Sequence, residues 1–203
     1  MTSDEVQALR DACRGDWTFT LIELALATGA RRGELLALTW DDFDATKQIV
    51  TISKSVEQTK SGLRIKCTKG EKARTCALPQ SALAALSFQR DQQAEIKKAF
   101  GGTYRDNNLV FAQPSGEHLM PDLVSQTVVR RLQKAGIPNA SFHTLRHTHA
   151  SHLLSKGVPL PAVSARLGHA DPNITARIYS HALPDDDRRG ADTWDKVLQT
   201  PVQ

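Results

Sequence analysis

The stretch SFHTLRHTHASHLL places four histidines and one arginine within fourteen residues. On a helix, His143 and Arg146 share a face, with His147 close beside them. His149 and His152 point roughly the opposite way. Histidine and arginine together suit phosphate, because a guanidinium offers a rigid fork of donors to two oxygens and stays charged. A metal site is disfavoured, since the imidazoles do not converge and no acid stands between them, as an HExxH site requires.

Three further segments contain residue types suited to the same chemistry. ATGARRGELLAL presents Arg31 after a glycine-broken turn, just ahead of a predicted helix that carries Glu34. TKGEKART places Lys69 in a tight turn, and LGHADPNITARIYSH places His169 ten residues before Tyr179. Together they offer cations to neutralise a phosphate, a phenol to attack it and an amine to protonate a leaving group.

Basic residues are concentrated in one part of the chain. Residues 47–75 contain eight Lys or Arg against two Glu, in a protein whose formal net charge is only +4. Such a stretch suits a DNA phosphate backbone, although a solvated basic hairpin remains an equal alternative. The candidate DNA-binding residues are Lys60, Arg64, Lys66, Lys72 and Arg74.

Length and composition indicate one soluble domain. The 203 residues are 40% hydrophobic and 24% charged, with no long apolar run and an acidic, polar start unlike a secretory signal. Three cysteines (Cys13, Cys67 and Cys76) are an odd number without CxxC spacing. A reduced, cytoplasmic chain without zinc on cysteine is therefore expected.

Periodicity and capping signals predict a mainly α chain with a small antiparallel three-stranded sheet. Helices are predicted after the Thr2 capping box, at 19–27, from Arg31 onward, at 80–100, at 121–135, across the histidine stretch, at 161–167, from Asp171 to Tyr179 and around 194–198. Strands are predicted from Gln48, at 63–67 and at 75–78, joined as a meander by Gly62 and by Lys69-Gly70.

The order TG-x-R-x-x-E, hairpin lysine, H-x-L-R-H-T, L-G-H and terminal Tyr resembles the catalytic domain of the tyrosine recombinases, the phage-integrase family. The resemblance covers roughly residues 3–181 and implies that family's catalytic-domain fold over residues 1–184. Residues 185–203 then form a tail, with a possible helix docking in cis or in trans through its apolar stripe of Trp194, Val197 and Leu198.

The resemblance implies a role for each matched residue. The implied catalytic set is Arg31, Lys69, His143, Arg146, His169 and Tyr179, with Glu34 and His147 in support. Arg31 and Arg146 would clamp the scissile phosphate, and His169 would contact one of its oxygens. Tyr179 would be the nucleophile, His143 its base and Lys69 the general acid.

Two of these assignments have competitors nearby. Arg32 adjoins Arg31, and the three-residue step to Glu34 favours Arg31. Lys66 and Lys72 flank Lys69, and the pattern K-G-x-K-x-R favours the middle one.

The implied reaction cleaves and rejoins double-stranded DNA through a 3′-phosphotyrosyl intermediate, with no metal, ATP or other cofactor. Expected partners are DNA and further protomers, as a tetramer on two duplexes. The family's N-terminal DNA-binding domain is missing from this chain, so a fragment or an unusually short member is expected, encoded by a bacterium or phage. A long basic hairpin favours an integrase of a mobile element over a chromosome-dimer resolvase. A type IB topoisomerase and a non-catalytic DNA-binding regulator remain alternatives.

Overall fold

The chain is described by a computed structural model over residues 1–67, 73–169, 171–179 and 186–199. In these residues the helices are α1 (Ser3–Cys13), α2 (Trp17–Thr28), α3 (Arg32–Leu36), α4 (Gln80–Phe100), α5 (Pro121–Lys134), α6 (Phe142–Ser155), α7 (Leu160–Leu167), α8 (Pro172–Tyr179) and α9 (Asp186–Gln199). The strands are β1 (Phe43–Asp44), β2 (Ile49–Ile52), β3 (Lys54–Thr59), β4 (Gly62–Cys67) and β5 (Arg74–Ala77). The prediction of a mainly α chain with a small antiparallel sheet is confirmed.

Local signals in the sequence set the helix ends. The Thr2 hydroxyl accepts a hydrogen bond from the Glu5 N–H, and the Glu5 carboxylate accepts one from the Thr2 N–H, which is a capping box at the start of α1. Gly29 ends α2 in the left-handed conformation at φ 65°, and its N–H donates to the carbonyl of Ala25. The turn after Gly29 leads directly into α3.

The strands do not form the predicted meander. A three-stranded antiparallel sheet has the order β1-β2-β5, whereas β3 and β4 form a separate two-stranded hairpin. The prediction therefore placed 63–67 in the wrong sheet. It missed β3 because Val56 is the one buried apolar residue of that strand, so the strand carries no clear hydrophobic alternation.

The buried apolar side chains fall into two clusters. The larger cluster contains side chains from the five helices α1 through α5, from β2 and β5, and from the first turns of α6. The smaller one lies where α6, α7 and α8 meet and consists of Ala150, Leu154, Val163, Leu167 and Tyr179. Among the described helices, none is both long and apolar enough to cross a membrane.

Candidate active site

The α2–α3 turn holds Arg31 against an acid. Arg31 caps α3, its N–H donates to Glu34 Oε2 at 2.8 Å, and its Nη1 donates to Glu34 Oε1 at 3.1 Å. Glu34 is only 1% exposed. Burial by itself raises the pKa of the Glu34 carboxyl, but hydrogen bonds from Arg74 and the charges of Arg74 and Arg31 outweigh burial and hold the pKa below its ordinary value. The charged Glu34 carboxylate therefore holds Arg31 at both its backbone N–H and its guanidinium.

Arg32, the neighbour of Arg31, makes a different set of contacts. Its Nη1 donates to the carbonyl of Pro121 at 3.0 Å and to the hydroxyl of Ser125, and it forms an ion pair with Asp122. These contacts bind α3 to the start of α5. The geometry thus separates the two adjacent arginines, one braced by Glu34 and one fastened to a helix.

Helix α6 carries Arg146 into the interior. The side chain is 3% exposed, its Nη1 donates to the Gly29 carbonyl at 2.7 Å, and its Nη2 lies 2.8 Å from His169 Nε2. Because a guanidinium only donates, His169 Nε2 accepts, and Nδ1–H donates to the Thr175 hydroxyl at 2.7 Å. Burial and the charge of Arg31 lower the pKa of Arg146 to about 10, so the guanidinium stays protonated at neutral pH.

His143 stands one turn before Arg146 at the exposed start of α6. Partial burial, followed by the positive charges of Arg146 and Arg31, lowers the pKa of the His143 imidazole. The neutral ring is therefore favoured at neutral pH, and a neutral imidazole is the form that accepts a proton.

A cleft of about 630 Å³ brings these groups together. Its wall includes Arg31, His143 and Arg146, and the β3–β4 hairpin contributes Lys66 and Glu57 from the other side. The cleft is cationic, open to solvent and lined by donors, as a phosphate site requires. Within the described part of the chain, no group of three or more His, Cys, Asp or Glu side chains is placed to hold a metal ion.

Tyr179 lies next to this cleft but inside the protein. It is 2% exposed and belongs to the smaller apolar cluster. Its ring centroid is 5.4 Å from that of His147, which in turn makes an edge-on contact at 4.5 Å with His143. Burial raises the pKa of the Tyr179 phenol, and the charge of Arg146 opposes that rise. The phenol is therefore close to the basic groups and protonated.

The basic hairpin meets the expectations only in part. Lys60 at its turn and Arg64 in β4 are exposed, and Lys66 is exposed at the cleft, where it pairs with Glu57. Arg74, predicted to contact DNA, is instead buried, and its guanidinium is bound to Glu34.

Two further predicted lysines, Lys69 and Lys72, lie outside the described residues, and so does the predicted domain boundary at 184–185.

Sequence reasoning missed several residues that hold the site. Thr175 orients His169, and its place four residues before Tyr179, on the same face of α8, was a usable signal. His149, for which the sequence predicted no role, is buried and bonds to the Leu26 carbonyl and to Arg166. Its partners are far apart in sequence, so no local pattern indicates them.

Comparisons with known proteins agree with this geometry. The sequence pattern described as the Phage integrase family matches residues 1–185, and the chain belongs to that family. A relative named "Tyrosine recombinase XerC-like" from Caldanaerobacter subterraneus subsp. tengcongensis is 32% identical, covering 97% of this chain and 54% of the relative. An integrase from Streptomyces ambofaciens is 30% identical, covering 98% of this chain and 53% of the relative.

A solved structure shows the same fold. The Tn1549 transposon integrase in complex with a circular intermediate DNA superposes with a TM-score of 0.80 at 18% identity, covering 96% of this chain and 65% of that chain. This chain spans about half the length of the curated relatives it matches.

Proposed function

We propose that this chain is the catalytic domain of a tyrosine-type site-specific DNA recombinase. The observation that carries the proposal is the cleft in which Arg31, His143 and Arg146 converge, with His169 bonded to Arg146. Attack on a phosphodiester adds negative charge to its nonbridging oxygens. Donors fixed around those oxygens stabilise that charge more than the charge of the ground state, and this difference accelerates cleavage.

Tyr179 supplies the nucleophile in this proposal. Its phenol attacks the phosphorus, the phenolic proton passes to His143 as base, and the 5′ oxygen departs. The product is a 3′-phosphotyrosyl bond that retains the energy of the phosphodiester, so a second 5′ hydroxyl rejoins the strand without ATP. Since Tyr179 is buried in the free protein, α8 must move for the phenol to reach DNA.

Lys69 is proposed as the acid that protonates the departing 5′ oxygen. Lys69→Ala should slow cleavage of ordinary DNA, and a 5′-bridging sulfur, which departs without a proton, should largely restore the rate. Lys66→Ala is the matched control, because Lys66 lines the cleft and pairs with Glu57. Equal slowing on both substrates would show that Lys69 is not the acid.

Double-stranded DNA is the proposed substrate, held through its backbone by Lys60, Arg64, Lys66 and Lys72. The proposed assembly is a tetramer on two duplexes, and α9 is the proposed contact between protomers. Its Trp194, Val197 and Leu198 side chains are between 52% and 69% exposed. We also propose that the chain acts in the cytoplasm together with an N-terminal DNA-binding domain, and that the reaction needs no metal.

Integration and excision of a mobile element is the proposed biological role. The long β3–β4 hairpin beside the cleft supports it, and both integrases and Xer-type recombinases occur among the relatives. In the host, deleting the gene should abolish an excised DNA circle that spans the flanking sequence. Accumulation of chromosome dimers instead would indicate a resolvase.

The experiment that tests the proposed activity is trapping of a covalent adduct. Duplexes from the DNA that flanks the gene, each carrying a nick, are incubated with wild type, Tyr179→Phe and Tyr104→Phe in the presence of EDTA. Tyr104 is the matched control, because the sequence contains two tyrosines and Tyr104 is the second. Wild type and Tyr104→Phe should give a protein–DNA band that resists SDS and is removed by protease, and Tyr179→Phe should give none. A band that persists in Tyr179→Phe would overturn the assignment.

A further inference from the structure

Arg74, expected on the DNA surface, is instead the most heavily bonded buried cation beside the cleft. It begins β5, opposite Ile52 of β2, and its side chain is 8% exposed. Its Nη1 and Nη2 donate to the two oxygens of Glu34, at 3.1 Å and 2.6 Å. Its Nε donates to the Arg166 carbonyl at 2.9 Å. Each of the three guanidinium nitrogens therefore has a hydrogen-bond partner inside the protein.

The first consequence concerns Arg31. The two Glu34 oxygens that Arg74 binds also accept hydrogen bonds from Arg31. Oε2 accepts from the Arg31 backbone N–H, and Oε1 accepts from Arg31 Nη1. With Arg74 in place, Glu34 is a fixed, shared carboxylate, and the Arg31 side chain remains 39% exposed at the cleft. Without Arg74, a nearly fully buried carboxylate would face Arg31 alone. A forked pairing with Glu34 would then draw the Arg31 guanidinium out of the cleft.

The second consequence concerns the turn that carries His169. Arg166 and Gly168 lie at the end of α7, directly before His169. Besides binding the Arg166 carbonyl, the Arg74 guanidinium packs against Gly168 so closely that a Cβ there would lie 2.6 Å from Nη1. One side chain thus touches both the brace of Arg31 and the turn that places His169 against Arg146.

We propose that Arg74 is a positioning residue, which sets the distance between Arg31 and His169 by binding Glu34 and the end of α7 at once. The proposal rests on the proposed recombinase activity. It assigns Arg74 no contact with DNA, so its loss should slow cleavage and leave DNA affinity intact. If Arg74 instead bound a phosphate, Arg74→Lys would keep the point charge and cleave at close to the wild-type rate, whereas lysine cannot replace the fork that binds both oxygens of Glu34.

The test compares Arg74→Lys with Arg105→Lys, the same exchange at an exposed arginine that pairs with Glu117 and has no proposed contact with DNA. Cleavage is measured on the nicked duplex that gives the most wild-type adduct, and DNA affinity is measured across a salt series. Arg74→Lys should cleave about 100-fold more slowly, the scale expected for a cleft group displaced by about 1 Å. Its affinity and salt slope should match wild type, and Arg105→Lys should match wild type in cleavage rate, affinity and salt slope.

A second substrate separates misplacement of Arg31 from general loosening of the fold. A methylphosphonate at the scissile position lacks one charged nonbridging oxygen, so the reaction depends less on the arginines. The deficit of Arg74→Lys should shrink on this substrate, and an equal deficit on both would overturn the proposal. If Arg74→Lys does not fold, Arg74→Gln takes its place with the same expectations.

The outcomes distinguish this inference from the activity on which it rests. Wild-type cleavage with unimpaired Arg74→Lys, or a loss that lies in affinity and salt slope, overturns the inference alone. A wild-type protein that forms no adduct overturns the proposed activity and this inference with it.

Discussion

The cleft lined by Arg31 and Arg146 and the part of the chain that carries Tyr179 are built in different ways. In the cleft, Arg31, Glu34 and Arg146 are bonded to partners within the protein before any DNA is present. Tyr179 instead packs as an apolar side chain among residues such as Ala150 and Leu154. Under the proposed function, the protein therefore holds its charge-stabilising groups in place and keeps its nucleophile buried.

Under the proposed function, this difference indicates which part of the protein must rearrange when DNA binds. Donors that are fixed in advance need no reorganisation when charge develops on the phosphate. A phenol that is 2% exposed reaches no phosphate unless α8 leaves the smaller cluster. We expect binding to DNA to supply the free energy for that movement, which requires DNA to bind better to the conformation in which Tyr179 is accessible.

The largest expected effect comes from removing one of the bonded groups of the cleft, Arg146. Arg146→Ala should slow adduct formation by about 1,000-fold, the scale for a lost charge-stabilising donor. It should also lower the free energy of unfolding by about 1–3 kcal/mol, because the buried Gly29 carbonyl loses its donor.

Arg32→Ala is the matched control for Arg146→Ala, since Arg32 lines the same cleft but binds α5. It should keep most of the cleavage rate. Single-turnover kinetics measures the cleavage rate, and urea unfolding measures the stability. If Arg146→Ala cleaved DNA as rapidly as wild type, Arg146 would not be a charge-stabilising group.

The next effect concerns the part of the chain that carries Tyr179. Tyr179→Ala should lower the free energy of unfolding by about 3–5 kcal/mol, the cost of emptying a buried aromatic site. Tyr179→Phe keeps the ring and should stay within about 1 kcal/mol of wild type. Urea unfolding without DNA measures both. If both substitutions prove equally mild, Tyr179 is not a core residue of the free protein, and the comparison fails.

A third prediction concerns His149, which fastens α6 to α2 and α7. Burial, together with the charges of Arg166 and Arg146, lowers the pKa of His149 to about 4. The unfolded chain, with a pKa near ~6.5, then binds the extra proton at intermediate pH. This contribution to stability is complete above pH ~6.5 and is lost as the pH falls toward ~4, by about 3 kcal/mol.

The measurement for His149 is unfolding of wild type and His149→Gln across that pH range. Carboxylate effects are common to both proteins, so the difference between the curves isolates the imidazole. Parallel curves would mean that His149 is not buried in its neutral form.

The smallest effect on the monomer is expected from the tail. Deleting residues 185–203 removes exposed apolar side chains, so the free energy of unfolding should change by less than about 0.5 kcal/mol. Assembly of several protomers on DNA, followed by native gel shift, should fall if the tail docks in trans. Unchanged assembly, or a protein that unfolds, would count against docking in trans.

The sequence was most informative where structure is local. The capping box at Thr2 and the glycine-broken turn before Arg31 depend on neighbours a few residues away, and both are confirmed. The strand at 63–67 was assigned to the wrong sheet. It pairs with β3 because the turn at Lys60-Ser61, and not apolar alternation alone, determines its partner.

The functional residues show the same limit. Motif order indicated Arg31, Arg146 and Tyr179, but residue type alone placed Arg74 on DNA. Charge predicts exposure only when no buried partner exists, and here Glu34, forty positions earlier, provides one. Nor does any sequence pattern state that Tyr179 is buried, since that depends on how α6, α7 and α8 meet.

Under the proposed function, Tyr179 is the residue that forms the covalent bond to DNA. The most direct measurement digests the trapped wild-type adduct with trypsin and nuclease and locates the nucleotide by mass spectrometry. We predict the modification on the peptide of residues 178–188, which contains Tyr179. A nucleotide on the peptide of residues 99–105, which contains Tyr104, or on any peptide without Tyr179, would contradict the claim.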